Sequence, residues 1–250
     1  MTKRLLLVAV VLISSFSISK AQTAEELVDK YLSAIGGKKK LSEIQSLRML
    51  ALVKAQGMEM PAELLKKSPN MMKMTLSFQG YEIVQPAFDG ENGWATNFMT
   101  MENEEMDADG SLAMKQEAQD FPDPFYNYAS KGYIVGRKDD VTENGKEYFV
   151  LLLEKNTVIV NGEELSNNAE YLLDKSTFLP YKRSSLAEGG PTKGMAIETI
   201  YSNYKEIEGF RFPYIIEQKV NGVTQATMNF EMVEINPPIE NKEFKFPEQP

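Results

Sequence analysis

The stretch Phe88-Asp89-Gly90-Glu91-Asn92-Gly93-Trp94 decides the fold, because it sets two turn dipeptides beside runs of residues that alternate like strands. In residues 70–78 the apolar side chains fall at every second position, the period expected of a half-buried strand. Gln79-Gly80 then turns the chain, and residues 81–85 return as a second strand. The stretch carries no catalytic group. It predicts a curved apolar surface more than a reaction centre.

The first element predicted before this stretch is a helix. Thr23 and Glu26 have the spacing of a capping box, and the apolar residues after them recur at helical spacing until Gly36-Gly37 ends the helix. The other elements predicted in this part of the chain are a short helix at 38–44 and strands at 47–55 and 58–67.

Residues 98–131 are predicted to form a helical lid insertion without strands, because their apolar residues do not alternate. Pro122 and Pro124 separate a helix at 111–119 from a shorter helical stretch that Gly132 ends. Strands resume at Tyr133. The tight turns predicted between them are Asn144-Gly145, Asn161-Gly162, Gly189-Gly190, Glu208-Gly209 and Asn221-Gly222.

These patterns predict a mainly β (α+β) fold of about eleven or twelve strands joined by hairpins. A single strongly curved antiparallel sheet accounts for them, forming an incomplete barrel with short helices that lid its concave side. A closed barrel is the alternative. No linker divides the chain, so residues 22–250 are predicted to be one domain.

Residues 1–21 have the pattern of a secretory signal peptide. Lys3 and Arg4 precede an apolar run, and Ser19-Lys20-Ala21 places small residues before a cleavage site after Ala21. The apolar run is too short to cross a membrane, so a soluble, exported protein is predicted. The chain has no cysteine, which excludes disulfides and a lipid-modified amino terminus.

The charge balance excludes several partners and reactions. When the three basic residues of the signal peptide are removed from the 27 in the chain, 24 remain against 36 acidic residues, a net charge of −12. Such a chain is a poor partner for nucleic acid or an anionic membrane surface. Histidine is absent, so no Ser/His/Asp or Cys/His site can form and zinc lacks its usual ligands. We predict no enzymatic activity, no cofactor and no metal.

Two acidic patterns resemble functional sites. Asp107-Ala108-Asp109-Gly110-Ser111 begins like a calcium loop, but the twelfth position is Ala118, which cannot supply the bidentate carboxylate. The pairs Asp139-Asp140 and Glu163-Glu164 contain the two carboxylates that a glycosidase needs. Neighbouring strand residues point to opposite faces, however, so solvated carboxylates are the better interpretation.

Several motifs together resemble one family. They are Val28-Asp29-Lys30-Tyr31, Ala34-Ile35-Gly36-Gly37, Gln79-Gly80, Val84-Gln85, Phe88-Asp89-Gly90, Gly93-Trp94, Tyr171-Leu172-Leu173-Asp174, Leu179-Pro180 and the run Tyr204-Lys205-Glu206-Ile207-Glu208-Gly209-Phe210-Arg211-Phe212-Pro213. The chain is similar to the outer-membrane lipoprotein-sorting protein-like chains of Bacteroidetes, within the LolA-like (periplasmic lipoprotein carrier) superfamily. The motifs are turn and core signatures that cover the mature chain.

The resemblance implies a half-barrel lidded by helices, with residues 98–131 as the lid, around an apolar cavity that holds acyl chains. The function expected is that of a periplasmic carrier or chaperone for a lipoprotein or free lipid, monomeric, with an envelope protein as a possible acceptor. In the family's carriers an arginine on the sheet latches the lid, and Arg48 stands on a comparable early strand. The alternative function is a non-catalytic interaction or sensor module of the cell envelope.

Flexible methionines and aromatic residues are the candidates for the cavity wall and lid, because thioether side chains adapt to varied ligands. A plain core role for the same residues is the alternative. The candidate ligand-binding residues are Met49, Met72, Met74, Leu76, Phe78, Trp94, Phe98, Met114, Phe125 and Tyr126.

Overall fold

A computed structural model describes residues 22–160, 163–187 and 194–247. The predicted signal peptide and the predicted turns at Asn161-Gly162 and Gly189-Gly190 lie outside the described residues. The described helices are α1 (Ala24–Ile35), α2 (Lys38–Leu41), α3 (Ala108–Ala118) and two short 3-10 helices at Tyr128–Lys131 and Asn241–Phe244.

The capping box predicted for α1 is confirmed. The Glu26 N–H donates to the Thr23 hydroxyl at 3.2 Å, and the Thr23 N–H donates to the Glu26 carboxylate at 3.1 Å. One face of α1 is buried, so apolar packing fixes the helix against the sheet.

Fifteen strands are described. They are β1 (Ser46–Ala55), β2 (Met58–Lys67), β3 (Met71–Phe78), β4 (Tyr81–Phe88), β5 (Gly93–Thr96), β6 (Asn103–Glu105), β7 (Ile134–Glu143), β8 (Lys146–Glu154), β9 (Val158–Val160), β10 (Glu163–Leu165), β11 (Ala169–Asp174), β12 (Pro180–Leu186), β13 (Ala196–Ile207), β14 (Phe210–Val220) and β15 (Val223–Ile235).

Thirteen of these strands form one antiparallel sheet in the order β6-β5-β4-β3-β2-β1-β15-β14-β13-β12-β11-β8-β7. The two end strands, β6 and β7, do not pair with each other in the described part of the chain, so the sheet stays open. The predicted incomplete barrel is confirmed and the closed barrel is wrong. The remaining strands, β9 and β10, form a separate hairpin.

Two hairpin turns show how the sequence directs the sheet. Asn144-Gly145 and Asn221-Gly222 have positive φ at both positions (52° and 77°, 48° and 77°). Two positive φ values define the turn whose twist matches antiparallel strands, and Asn-Gly adopts them at low cost. The predicted hairpins at both places are confirmed.

The lid segment, residues 98–131, differs from its prediction in one respect. Asn103–Glu105 forms edge strand β6, which pairs with β5 from Trp94 to Thr96. Its side chains are all exposed, so burial gives this strand no alternating pattern to recognise. Because β6 and β7 are the two ends of the sheet, the chain between them connects one open edge to the other. No helix in the described ranges is long and apolar enough to cross a membrane.

Candidate functional site

A cavity of about 180 Å³ lies between α1, residues 122–124 of the lid segment and the sheet. Its wall is mostly aromatic and proline side chains, with one carboxyl group and one guanidinium. The residues around it are Tyr31, Ile35, Leu41, Ile44, Pro122, Asp123, Pro124, Tyr171, Pro180, Tyr201, Tyr204, Phe210, Arg211, Phe212 and Pro213. Pockets for drug-sized ligands usually measure about 300–1,000 Å³, so this conformation holds only a smaller apolar group.

Phe125 joins the lid segment to the main core. It is fully buried, and its ring meets Tyr31 of α1 and Tyr171 of β11 edge to face, at centroid distances of 5.3 and 4.8 Å. Such aromatic pairs stabilise beyond their area burial. The lid segment is therefore packed into the domain at this point.

Asp123 makes the polar contact between the lid segment and α1. The Tyr31 hydroxyl donates to Asp123 Oδ2, and the Phe125 N–H donates to Asp123 Oδ1 at 2.9 Å. Burial raises the pKa of Asp123 to about 6, although both donors favour the ionised form. Burial and the Asp123 carboxylate together raise the pKa of Tyr31. The Tyr31 phenol therefore remains a hydrogen-bond donor.

Asp120 holds the chain that follows α3. Lys155, only 5 % exposed, lies 2.6 Å from Asp120 Oδ2. The Tyr133 hydroxyl donates to Asp120 Oδ1 at 2.9 Å and accepts from Gln119 Nε2 at 3.2 Å. Burial and the neighbouring Asp120 carboxylate raise the pKa of Tyr133 above its ordinary value. Both carboxylate oxygens of Asp120 thus have donors, and the lid segment is attached to the end of β8 through them.

No protein-family model and no curated protein sequence matches the chain. Among solved structures, a LolA superfamily protein of Nitrosomonas europaea matches over 90 % of this chain and 99 % of its own, with TM-score 0.56 and 14 % identity. An outer membrane lipoprotein-sorting protein domain of Vibrio parahaemolyticus matches over 88 % and 94 %, with TM-score 0.54 and 13 % identity. A DUF1329 family protein of Desulfovibrio piger matches over 90 % and 98 %, with TM-score 0.57 and 9 % identity.

The chain has a LolA-like fold. Identities this low establish the architecture and leave the function to the site itself. In this LolA-like fold the cavity lies under the lid segment on the face that α1 packs against.

Arg48, the predicted latch, contacts neighbouring strands in this structure, and its role as a latch stays a prediction. Arg48 Nε lies 2.6 Å from Glu63 and its NH1 atom lies 3.6 Å from Glu234, both on strands beside its own. Within the described residues it has no ion pair or hydrogen bond to the lid segment. The attachment is made by Lys155 and Tyr31 instead, because Arg48 alternates to the face opposite Leu47 and Met49, which pack toward α1.

The ten predicted ligand-binding residues are not brought together in the LolA-like fold. Met49, Phe125 and Tyr126 belong to the main core, and none of the ten lines the 180 Å³ cavity. Six of the others fall into three further clusters because the sheet is wide and curved, and Phe98 belongs to none of them: Met74, Leu76 and Phe78 are in the second, Met72 and Met114 in the third, and Trp94 in the fourth. A role for them in binding stays a prediction.

Among the ten candidates, Trp94 is buried and Phe98 is exposed. Trp94 is 4 % exposed, its indole N–H donates to the Phe244 carbonyl at 2.8 Å, and its ring packs against Phe246. It anchors the carboxyl-terminal segment to the sheet. Phe98 is 57 % exposed, next to Met99, which is 93 % exposed. Phe98 therefore presents an apolar surface to solvent in this conformation.

Asp107, the first residue of the pattern that resembles a calcium loop, caps a helix. Its Oδ1 accepts from the Gly110 N–H at 2.8 Å, which satisfies the first turn of α3. Across the described ranges, no group of three or more acidic, histidine or cysteine side chains could hold a metal ion.

Sequence reasoning missed the tyrosines of the cavity wall. Tyr171, Tyr201 and Tyr204 lie on β11 and β13, which β12 separates, and only strand register brings them together. Burial raises the pKa of Tyr201 to about 12 and raises that of Tyr204 above its ordinary range. The sequence signal for these cavity residues was the pair Tyr201 and Tyr204, which stand three positions apart in one strand. Asn203 between them has φ 54°, an irregularity that accompanies the turning of both rings to the cavity side.

Proposed function

We propose that this protein is a periplasmic carrier that binds an acyl chain of a lipoprotein or a free lipid under its lid segment. The observation that carries the proposal is the apolar cavity enclosed between α1, residues 122–124 and the concave side of a LolA-like sheet. As the sequence resemblance implies, the setting is the envelope of a Bacteroidetes cell. We propose no catalytic role.

Opening of the lid segment is the step that would admit a complete chain. The polar contacts described above hold it closed: the Tyr31 hydroxyl to Asp123, and Lys155 and Tyr133 to Asp120. A ligand can shift the protein to the open form, in which these few hydrogen bonds are broken, provided that it binds the open form more tightly than the closed form. Movement of residues 122–124 would enlarge the cavity along the lid segment.

Apolar burial alone supplies enough binding energy. About 12 methylenes at about 0.8 kcal/mol each give on the order of 10 kcal/mol before entropic costs. Transfer to an acceptor then needs only the higher affinity of that acceptor for the same chain.

The test is native mass spectrometry of the protein purified from periplasm without detergent, followed by lipid analysis of any mass released. We expect a stoichiometric acylated adduct on the wild type. Ile44→Trp fills the cavity and should carry much less adduct. Leu186→Trp, at a side chain that is 62 % exposed on β12, is the matched control and should keep the adduct. A wild type that stays free of ligand after incubation with fatty acids, phospholipids and a triacylated lipopeptide would reject the carrier.

A second candidate function is the envelope interaction module. It is favoured by the exposed apolar side chains of Phe98, Met99 and Met101 near edge strand β6. Crosslinking in envelope preparations tests it with the variant Phe98→Glu/Met99→Glu. Crosslinks lost in this variant while the lipid adduct persists would favour the module, and an unchanged crosslink pattern would reject it.

A further inference from the structure

Arg183 occupies the same face of the sheet as the tyrosines of the cavity. On β12 it pairs in register with Tyr171 of β11 and Thr199 of β13. Tyr201 follows Thr199 by two positions and therefore points to the same face. Directly opposed residues on neighbouring strands have Cβ atoms about 5 Å apart, and diagonal neighbours are about 7–8 Å apart. One guanidinium and two phenols are thus neighbours on the concave wall.

The polar groups of these three side chains have no partner in the described part of the chain, although the Tyr171 ring packs against Phe125. Among the described residues, Arg183, Tyr171 and Tyr201 make no side-chain hydrogen bond and no ion pair. Asp120 and Glu117 lie near enough to act on Arg183 electrostatically, but both oxygens of Asp120 are already bonded to Lys155 and Tyr133. Burial lowers the pKa of Arg183, but the neighbouring tyrosines and carboxylates outweigh it, so the guanidinium stays charged.

Two of these groups lie in the wall of an apolar space, and Arg183 is their neighbour on the same face of the sheet. Tyr171 and Tyr201 also line the 180 Å³ cavity, whose other walls are mostly proline, isoleucine and phenylalanine. A polar group at one side of an apolar cavity fixes the orientation of a ligand that has both characters. Guanidinium groups favour carboxylates and phosphates because their fork of donors matches two oxygens.

We propose that the ligand is an amphiphile with an anionic carboxylate or phosphate headgroup. Arg183 binds this headgroup, Tyr171 and Tyr201 donate hydroxyl hydrogens to it, and the alkyl chain enters the cavity. The inference rests on the proposed carrier function and narrows it from acyl chains in general to anionic lipids. Asp123, the carboxyl group in the cavity wall, is occupied by Tyr31 and Phe125 and faces the alkyl chain.

The experiment compares three probes of equal chain length by calorimetric titration below their critical micelle concentrations: dodecanoate, dodecyl phosphate and dodecanol. We expect the wild type to bind at least one of the two anions about tenfold or more tightly than dodecanol, the ratio typical of a hydrogen bond to a charged group. The preferred anion distinguishes a carboxylate from a phosphate headgroup.

Arg183→Gln should abolish the preference and leave dodecanol affinity unchanged, and Tyr201→Phe should reduce the preference by a few fold. Arg137→Gln is the control, because Arg137 does not line the cavity and its guanidinium lies 2.7 Å from Asp140. Circular dichroism melting verifies that each variant folds.

A wild type that binds all three probes equally would overturn the inference but would leave the proposed carrier function standing. Equal losses for dodecanoate and dodecanol in Arg183→Gln would also overturn it, since Arg183 would then only hold the lid segment. A wild type that binds no probe would reject the carrier function itself.

Discussion

At the scale of single residues, Asp123 is a carboxyl group whose folded environment favours its protonated form. Burial raises its pKa to about 6, against an ordinary value of 3.8. A carboxyl with a higher pKa in the folded than in the unfolded state binds its proton more tightly when folded. Its contribution is therefore greatest below the unfolded pKa and is lost as pH rises through the folded pKa.

The free energy of unfolding should therefore fall as the pH rises through the pKa of Asp123. Between about pH 4 and pH 6, Asp123 should lower the free energy of unfolding by about 1–2 kcal/mol, a value reduced for its partial solvent contact. Urea unfolding of wild type and Asp123→Asn across this range measures it, because the difference between the two proteins cancels the other carboxyl groups. A difference that does not change with pH would contradict the prediction.

Lys155 is a second residue whose substitution should lower the free energy of unfolding. Its side chain is 5 % exposed beside Asp120, so Lys155→Met leaves a poorly solvated carboxylate and should lower the free energy of unfolding by about 3 kcal/mol. Lys38→Met removes an ion pair to Asp29 in which both side chains are more than half exposed, and should cost under about 1 kcal/mol. Thermal or urea unfolding compares them, and equal losses would show that burial is not the cause. Lys155→Met/Asp120→Leu should recover part of the loss.

At the scale of elements, α3 of the lid segment is packed less firmly than α1. Ala118 is the only fully buried side chain of α3, whereas α1 buries six residues. Segments with few buried apolar contacts open with less free energy than the whole domain. Amides of α3 should therefore exchange hydrogen faster than those of β8 and β11, with a ligand slowing the exchange. Mass-spectrometric hydrogen exchange measures this, and uniform protection in all three elements would refute it.

The strands show what a sequence can predict. Residues of β3 alternate with period two, and Asn-Gly dipeptides mark turns, so most of the hairpins were predictable from local pattern alone. Strand β6 was not, because three exposed polar residues give no alternation. The site was less predictable still: the pairing of Arg183 with Tyr171 depends on register between strands, and a one-residue slip would turn every side chain to the other face. Methionine content indicated a pliable interior but not which side chains share a cavity.

At the scale of the whole molecule, ligand binding should raise thermal stability. A ligand that binds only the folded state at about 100 times its dissociation constant adds about 2.7 kcal/mol. For a domain of this size that corresponds to a rise in Tm of about 5–10 °C. Differential scanning fluorimetry with the tightest-binding probe measures the rise, and Ile44→Trp should lose it. The same rise in both proteins would show that the probe binds outside the cavity.

The pairing of β1 with β15 also sets the order in which this molecule can be made. The sheet has two halves, β1 to β6 and β7 to β15 without β9 and β10, and each grows from hairpins or short connections. Among the described strands, the two halves pair only where Leu47 to Ala55 meet Ile235 to Ala226. Pairing β1 with β15 closes a very long loop, which costs more chain entropy than forming a hairpin and is therefore slower. A ribosome releases β1 early and β15 near the end, so the backbone groups along one side of β1 wait unpaired through most of synthesis. That side is the place where a nascent chain of this protein would meet a chaperone or, without one, another copy of itself.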